Sequence, residues 1–248
     1  MKSFPVFILL FFIPLFCTAQ NGLFIGYENG FLLDRFNYVN SKGYSLDQSG
    51  IGGTYGGFVG YRLNTYSLET GFYAHNSMHP FVDYDYATGK PSASNSYGSG
   101  AQRFVIPLRV AKEFLLAQEK LVIRPEVALN VMILRDYTNS DPIGGWGENV
   151  SALPGDNSYT GQTPDSTRAW GYVPSHTNLS IETGLSVAYR FKKVADIYLK
   201  GSYLAGFKTM YYETITHYSA TEVVQATSVN SNAFTLQVGL RYFFDRKV

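Results

Sequence analysis

From residue 21 onward, apolar and polar residues alternate with a period of two. In 120–134, Leu121, Ile123, Pro125, Val127, Leu129, Val131 and Ile133 fall on one side, and Arg124, Glu126, Ala128, Asn130 and Met132 on the other. In 178–190, Leu179, Ile181, Leu185, Val187 and Tyr189 oppose Asn178, Ser180, Glu182, Ser186 and Arg190. In 231–244, Phe234, Leu236, Val238, Leu240, Tyr242 and Phe244 oppose Thr235, Gln237, Gly239 and Arg241. Successive side chains of a strand point to opposite faces, so each stretch predicts a two-faced strand. The same pattern in 21–33, 51–63, 66–77, 102–114 and 196–208 brings the expected number to eight. All are longer than the five or six residues usual in soluble sheets. They are long enough for tilted membrane strands, which need about 9–11.

The links between these strands alternate in length. Asn64-Thr65, 115–119 and 191–195 are short, whereas 34–50, 78–101, 135–177 and 209–230 are long and rich in Gly, Ser, Asn, Asp and Tyr. Short turns at one end and long loops at the other are the layout of a transmembrane barrel. Taking Asn64-Thr65 as a two-residue turn pairs Leu63 with Tyr66, Tyr61 with Leu68, Val59 with Thr70 and Gly57 with Phe72, all on apolar faces. Arg62 then meets Ser67, and Gly60 meets Glu69, on the polar faces. A one-residue slip would destroy this agreement.

Nearly all strand charges fall on the polar faces: Glu28, Glu69, Glu113, Glu126 and Glu182 against Arg62, Arg103, Arg109, Arg124, Arg190, Lys200, Lys208 and Arg241. Lys112 alone sits on an apolar face, near a short turn, where its stem can reach the headgroups. An all-β, eight-stranded antiparallel up-and-down transmembrane barrel satisfies this pattern with charges inside. A soluble lipocalin-like barrel would put the apolar faces inside instead. Eight strands enclose just enough room for side chains, so the lumen is expected to be filled by ion pairs. Five acids against eight bases leaves three cations to be met by water, loop acids or a small anion. Glu126 is expected to contact Arg109, Arg124 or Arg62. Pro107 and Pro125 each remove a ladder donor, so a bulge or a local water is expected at both.

Composition narrows the class. Only 16% of residues are charged, against about 25% in soluble domains. Lys+Arg is 20 and Asp+Glu is 19, which offers no basic surplus for nucleic acid. Lys2, the apolar run Phe4 to Phe16 and the small residues of Cys17-Thr18-Ala19 read as a secretory signal peptide over 1–19, leaving 20–248 as the barrel domain. The apolar run is shorter than the roughly 20 residues of a membrane helix. Lipidation of Cys17 is the rival reading, which bulky Leu15 and Phe16 disfavour. Cleavage before Gln20 would remove the only cysteine, and with it any disulfide or thiol nucleophile.

Residues 237–244, with Gln237, Gly239, Tyr242 and Phe244 at the signal positions, resemble the C-terminal strand of outer-membrane barrels, although four residues follow. Ile106-Pro107-Leu108 is similar to a feature of the PorT-like outer-membrane β-barrel domain, and the whole resembles the small OmpA- and OmpX-like barrels. The resemblance implies insertion by the outer-membrane assembly machinery and an eight-stranded up-and-down barrel. With eight strands and alternately short and long links, both mature termini are expected in the periplasm, the long loops outside the cell, and lipid and lipopolysaccharide around the wall. The family is functionally heterogeneous, so no single activity is implied.

Some small outer-membrane barrels modify lipid A through a His, a Ser and a carboxylate. His75-Asn-Ser77 with Glu69 on the same face, and His217-Tyr-Ser219, carry that spacing. Glu69 lies six residues from His75, roughly 20 Å along a strand, too far to orient it. Asp83-Tyr-Asp85 lacks the spacing of a calcium loop. No phosphate loop or dinucleotide fingerprint occurs, so neither enzyme activity nor a cofactor is expected. In 135–177, Trp146, Tyr159, Trp170 and Tyr172 suit a loop that contacts a partner, other outer-membrane proteins included, or one that folds as a lid. Asp165-Ser166-Thr167 resembles a short acceptor motif for O-linked glycans. The expectation is a structural or interaction barrel that presents surface loops, as an accessory subunit of an outer-membrane complex, with a narrow small-solute channel as the alternative and a lipid A-modifying enzyme as the third reading.

Overall fold

The computed structural model describes residues 21–40, 43–77, 79–85, 90–98, 102–134, 166–172, 176–192, 194–209, 211–218 and 223–244. The described residues form strands and turns only. In chain order the strands are β1 (Asn21–Asn40), β2 (Ser45–Leu63), β3 (Tyr66–Ser77), β4 (His79–Asp85), β5 (Lys90–Gly98), β6 (Gln102–Lys112), β7 (Phe114–Leu116), β8 (Leu121–Leu134), β9 (Ser166–Tyr172), β10 (Thr177–Phe191), β11 (Ala195–Gly206), β12 (Tyr211–Tyr218) and β13 (Val223–Phe243). Eight of them pair in the order β1-β2-β3-β6-β8-β10-β11-β13, and β13 returns to β1. Every pairing is antiparallel, from Phe24↔Phe243 and Asn21↔Leu63 onward. The barrel is closed, so none of these eight strands leaves an edge along its membrane length.

The turn at Asn64-Thr65 holds Asn64 at φ 56°, a conformation asparagine tolerates. It joins Leu63 to Tyr66, Tyr61 to Leu68, Val59 to Thr70 and Gly57 to Phe72, the register that the apolar pattern requires. Neither strand proline makes a bulge. Pairing of β3 with β6 lapses across Pro107 but resumes in the same register, Thr70↔Leu108 before and Tyr73↔Val105 after. Pro125 pairs with Leu185 without a shift, and on its other side the pairing with β8 lapses between Ala111↔Glu126 and Phe114↔Ile123 and resumes in the same register.

The long connections hold more regular structure than their composition suggests. The 34–50 stretch continues β1 and β2 through pairs such as Asn37↔Asp47. The 78–101 stretch contains the β4–β5 hairpin, and 209–230 contains β12 and the start of β13. β9 adds to β12 through Ile215↔Ala169 and its neighbours. Polar, glycine-rich strands read as loops by composition, yet they pair because the barrel strands beneath set their direction and spacing. Among the described residues, the wall from β2 through β1 to β13 rises well past the opposite one.

Burial is inverted relative to a soluble protein. Val127, Leu129, Leu199 and Leu236 are 46–55% exposed, whereas Glu28, Asp34, Arg124 and Lys200 are at most 1% exposed. Lys112 is half-buried on the outer face, its ammonium 5.3 Å from the Tyr66 ring and 5.2 Å from that of Phe114.

Candidate functional site

The lumen is layered, and the alternation of each strand supplies one side chain per layer. Nearest the short turns, Arg190 grips Asp196 with Nε at 2.7 Å and Nη2 at 2.9 Å, and Nη2 also reaches Glu113 at 2.9 Å. Arg241 Nη1 lies 3.2 Å from Asp196 and 3.6 Å from Glu113, and half-buried Arg62 lies 3.9 Å from Glu113. Rings roof this cluster. Arg62 stands 4.5 Å over Phe243, and Arg241 stands 5.0 Å over Tyr198 and 5.3 Å over Phe24. Guanidinium stacking lets these cations be dry on two faces while their edges meet carboxylates.

The middle layer is the densest. Glu126 meets Arg109 Nε at 3.2 Å, Arg124 Nη1 at 3.0 Å and Lys200 Nζ at 3.2 Å. Glu28 meets Arg109 at 3.2 Å and Lys200 at 3.0 Å, and accepts from the Tyr198 hydroxyl at 2.8 Å. Glu69 is held by Arg124, with Ser67 between them, and by Arg109 at 3.3 Å. Glu182 takes hydrogen bonds from Ser202 at 2.7 Å and Asn130 at 3.2 Å, and Lys200 stands 3.5 Å away. Toward the far end a separate bidentate pair joins Arg103 to Asp34 at 2.6 and 3.2 Å.

The acids and bases of the lumen balance, which corrects the count taken from sequence. Asp34 and Asp196, at the margins of the alternating stretches, are both fully buried. Lys208, inside by the alternation, is exposed two residues beyond the end of β11. With Arg62, the described residues of the lumen comprise seven acids and seven bases. Among these no cation is left over for an anion to neutralise. The turn-end cluster carries one excess positive charge and the middle layer one excess negative, so the two layers also attract each other. A buried charge is tolerable only when paired in this way.

Buried apolar side chains pack among the charges. Phe24, Phe58, Val122, Ala188 and Phe243 pack near the turns, and Leu32, Phe36, Met132, Leu134, Leu204 and Ala233 pack at the far end, all buried. Between them a void of about 10 Å³, bordered by Tyr73, His75, Pro107 and Gln237, has room for one water molecule. His75 points inward beside Arg103, its register partner. The Glu69 carboxylate is committed to Arg124 and Arg109, so the spacing that suggested acyl transfer does not assemble around it. No group of three or more metal-ligating side chains occurs among the described residues.

The C-terminal strand residues divide their tasks. Gln237 donates to Thr54 Oγ1 at 3.3 Å within the lumen. Gly239 lies under the Tyr198 ring, where a Cβ would come within 2.2 Å of it. Tyr242 and Phe244 face outward as an edge-to-face pair, centroids 5.3 Å apart. In the sequence Gly239 stands only as a signal position, because the ring that needs it lies on another strand. Trp146, Tyr159, Asp165 and Ser219 lie outside the described residues. Ser166, Trp170 and Tyr172 lie in β9, His217 in β12, Ser77 at the end of β3, and Asp83 and Asp85 in β4, with backbone positions alone described.

On the outer wall, the apolar run of β1 ends at Leu33, paired to Ile51. Arg35 follows, facing outward 3.7 Å from Asp47. The run from Leu23 to Leu33 matches the apolar band of about 25 Å that a bilayer demands. The chain is a transmembrane β-barrel of the outer-membrane type. No family model matches the chain, and no curated protein does either. Among solved structures it is similar in fold to Neisserial surface protein A (14% identity, TM-score 0.40, covering 90% of this chain and 97% of that one). It is similar also to OprG from Pseudomonas aeruginosa (9%, 0.46, 92% and 98%) and to a major outer membrane protein from Thermus thermophilus (13%, 0.46, 91% and 100%). The assignment rests on this chain's own closure and inverted faces.

Proposed function

We propose that this barrel is a non-conducting, non-enzymatic structural or interaction protein, an accessory component of a larger outer-membrane assembly. The observation that carries the reading is the lumen, filled by mutually paired charges with buried apolar side chains packed among them. A solute would have to break several buried ion pairs, each costing about 3–5 kcal/mol when one partner is lost. A barrel that transports nothing acts through its outer wall and its ends. The tall wall of β1, β2, β12 and β13 then presents a surface for partners outside the cell, with short turns and both mature termini in the periplasm. Its surroundings would be lipid and lipopolysaccharide, and its C-terminal strand would be read by the assembly machinery. Planar-bilayer recording of the purified protein tests this: no stable open state is expected. A reproducible conductance would overturn it in favour of a narrow channel.

A further inference from the structure

The bilayer-facing wall is not uniform. Along β8 it is wholly aliphatic apart from Pro125, whereas β1 carries Tyr27, Asn29 and Phe31 in the middle of the band. Asn29 points outward, and its carboxamide makes no hydrogen bond among the described residues. A threonine hydroxyl in lipid can bond to its own backbone, but a carboxamide has two donor hydrogens and an acceptor oxygen to satisfy. Hydrocarbon offers it nothing.

The shape around Asn29 is a ridge beside a trough. Phe31 is 66% exposed, more than any other large apolar residue described, and Tyr27 is 52% exposed. On the β2 side they pair with Gly53 and Gly57 and stand free of side chains there. On the β13 side a groove of about 730 Å³ runs past Asn29, with Gly30 and Gly239 beneath it, Leu236, Val238 and Leu240 of β13 along it, and Ile197 and Leu199 beyond. Gly53 and Gly57 are not required by the barrel itself. A Cβ at either would meet only carbonyl oxygens, at 4.0 and 3.7 Å. Glycine in a strand interior weakens it, and commonly marks the close approach of another body.

We propose that this wall is where two copies of the chain associate side by side in the bilayer, about a two-fold axis close to Asn29. A two-fold contact uses one self-complementary patch twice. Here the β1 ridge of each copy would seat in the β13 groove of the other. The two carboxamides would meet at the axis, each donating to the other's oxygen, since an amide is its own complement. The face carries no charge between Leu23 and Leu33, so it asks for no oppositely charged partner. Lipid tails are as apolar as leucine, and close packing with hydrogen bonds therefore decides association within the membrane. This deepens the interaction reading by naming a partner. It rests on the chain lying in a bilayer and not on the lumen being closed, so a measured conductance would leave it standing.

Disulfide trapping in native membranes tests it, in a chain made cysteine-free by Cys17→Ser. Asn29→Cys is expected to give a covalent dimer of twice the chain mass under mild oxidation, and Leu129→Cys, on the opposite wall, is not. Heat-modifiable migration on a denaturing gel confirms that each variant has folded. Phe31→Ala in the Asn29→Cys background should lower the trapped fraction about three- to tenfold, the range expected for one contact of this kind. Folded Asn29→Cys that crosslinks no better than Leu129→Cys, or that crosslinks to a species of different mass, overturns the proposal.

Discussion

Glu126 and Val127 are neighbours in β8 and answer to different solvents. Glu126 is 4% exposed and touches Arg109, Arg124 and Lys200, whereas Val127 is 55% exposed and faces the bilayer. Inside, each residue is fixed by partners on several other strands. Outside, a position asks only for an apolar side chain, because lipid flows to fit whatever is there. The two faces of one strand therefore carry very different amounts of structural information, and substitutions should reveal the gap.

The largest effect is expected at Glu126. Glu126→Ala leaves Arg109, Arg124 and Lys200 without their shared counter-charge in the buried lumen. Breaking a buried pair costs about 3–5 kcal/mol, and equilibrium unfolding in lipid vesicles should show a loss of that order. A loss under about 1 kcal/mol would mean that the lumen is wet and the layers are not sealed.

Glycines sharpen the same contrast by geometry alone. Gly26, Gly56, Gly60 and Gly239 each lie under a ring from another strand, those of Phe58, Tyr73, Phe24 and Tyr198, with gaps too small for a Cβ. Gly239→Ala should therefore destabilise by about 1–3 kcal/mol, the usual result of overpacking. The same variant should slow insertion, since Gly239 belongs to the C-terminal strand signal. Unchanged stability in Gly239→Ala would show that the Tyr198 ring moves aside freely.

These residues also mark what could be read from the chain beforehand. The strands, the register at Asn64-Thr65 and the two faces of each strand follow from period-two alternation, since that is a local property. The ion pairing is not local. Asp196 opens β11 and Asp34 sits where β1 leaves the apolar band, so both fall at the margins of the alternating stretches, and only the closed barrel shows that they complete the charge balance. The extension strands escaped for a related reason: Gly, Ser and Asn set no pattern of their own, and pairing there is imposed by the strands below. Nothing near Gly239 in sequence announces Tyr198.

Val127→Ala comes next, and small. It removes two methyl groups from a surface where lipid fills the space, so no cavity term is added to the transfer term. A loss below about 1 kcal/mol is expected in the unfolding assay used for Glu126→Ala. A loss like that of a buried valine would place Val127 against protein, and the outer wall around β8 would then be an interface.

The smallest effect has the opposite sign. Gly201 faces outward on β11 between Leu185 and Leu236, and a Cβ there would meet nothing within 4 Å. Its backbone φ is not in the left-handed region, so alanine introduces no strain. The remaining difference lies in the unfolded chain, where glycine has more freedom to lose. Gly201→Ala should therefore stabilise the barrel by about 0.5 kcal/mol, read as a small rise in the denaturant midpoint with an unchanged slope. Gly57→Ala satisfies the same local conditions on β2, so the barrel alone predicts the same gain there. If two copies meet at the β1 wall, the added methyl at Gly57 stands in their way, and the pair of variants separates. Gly201→Ala then gains stability at every protein-to-lipid ratio, whereas Gly57→Ala gains it only when dilution in lipid has already parted the copies.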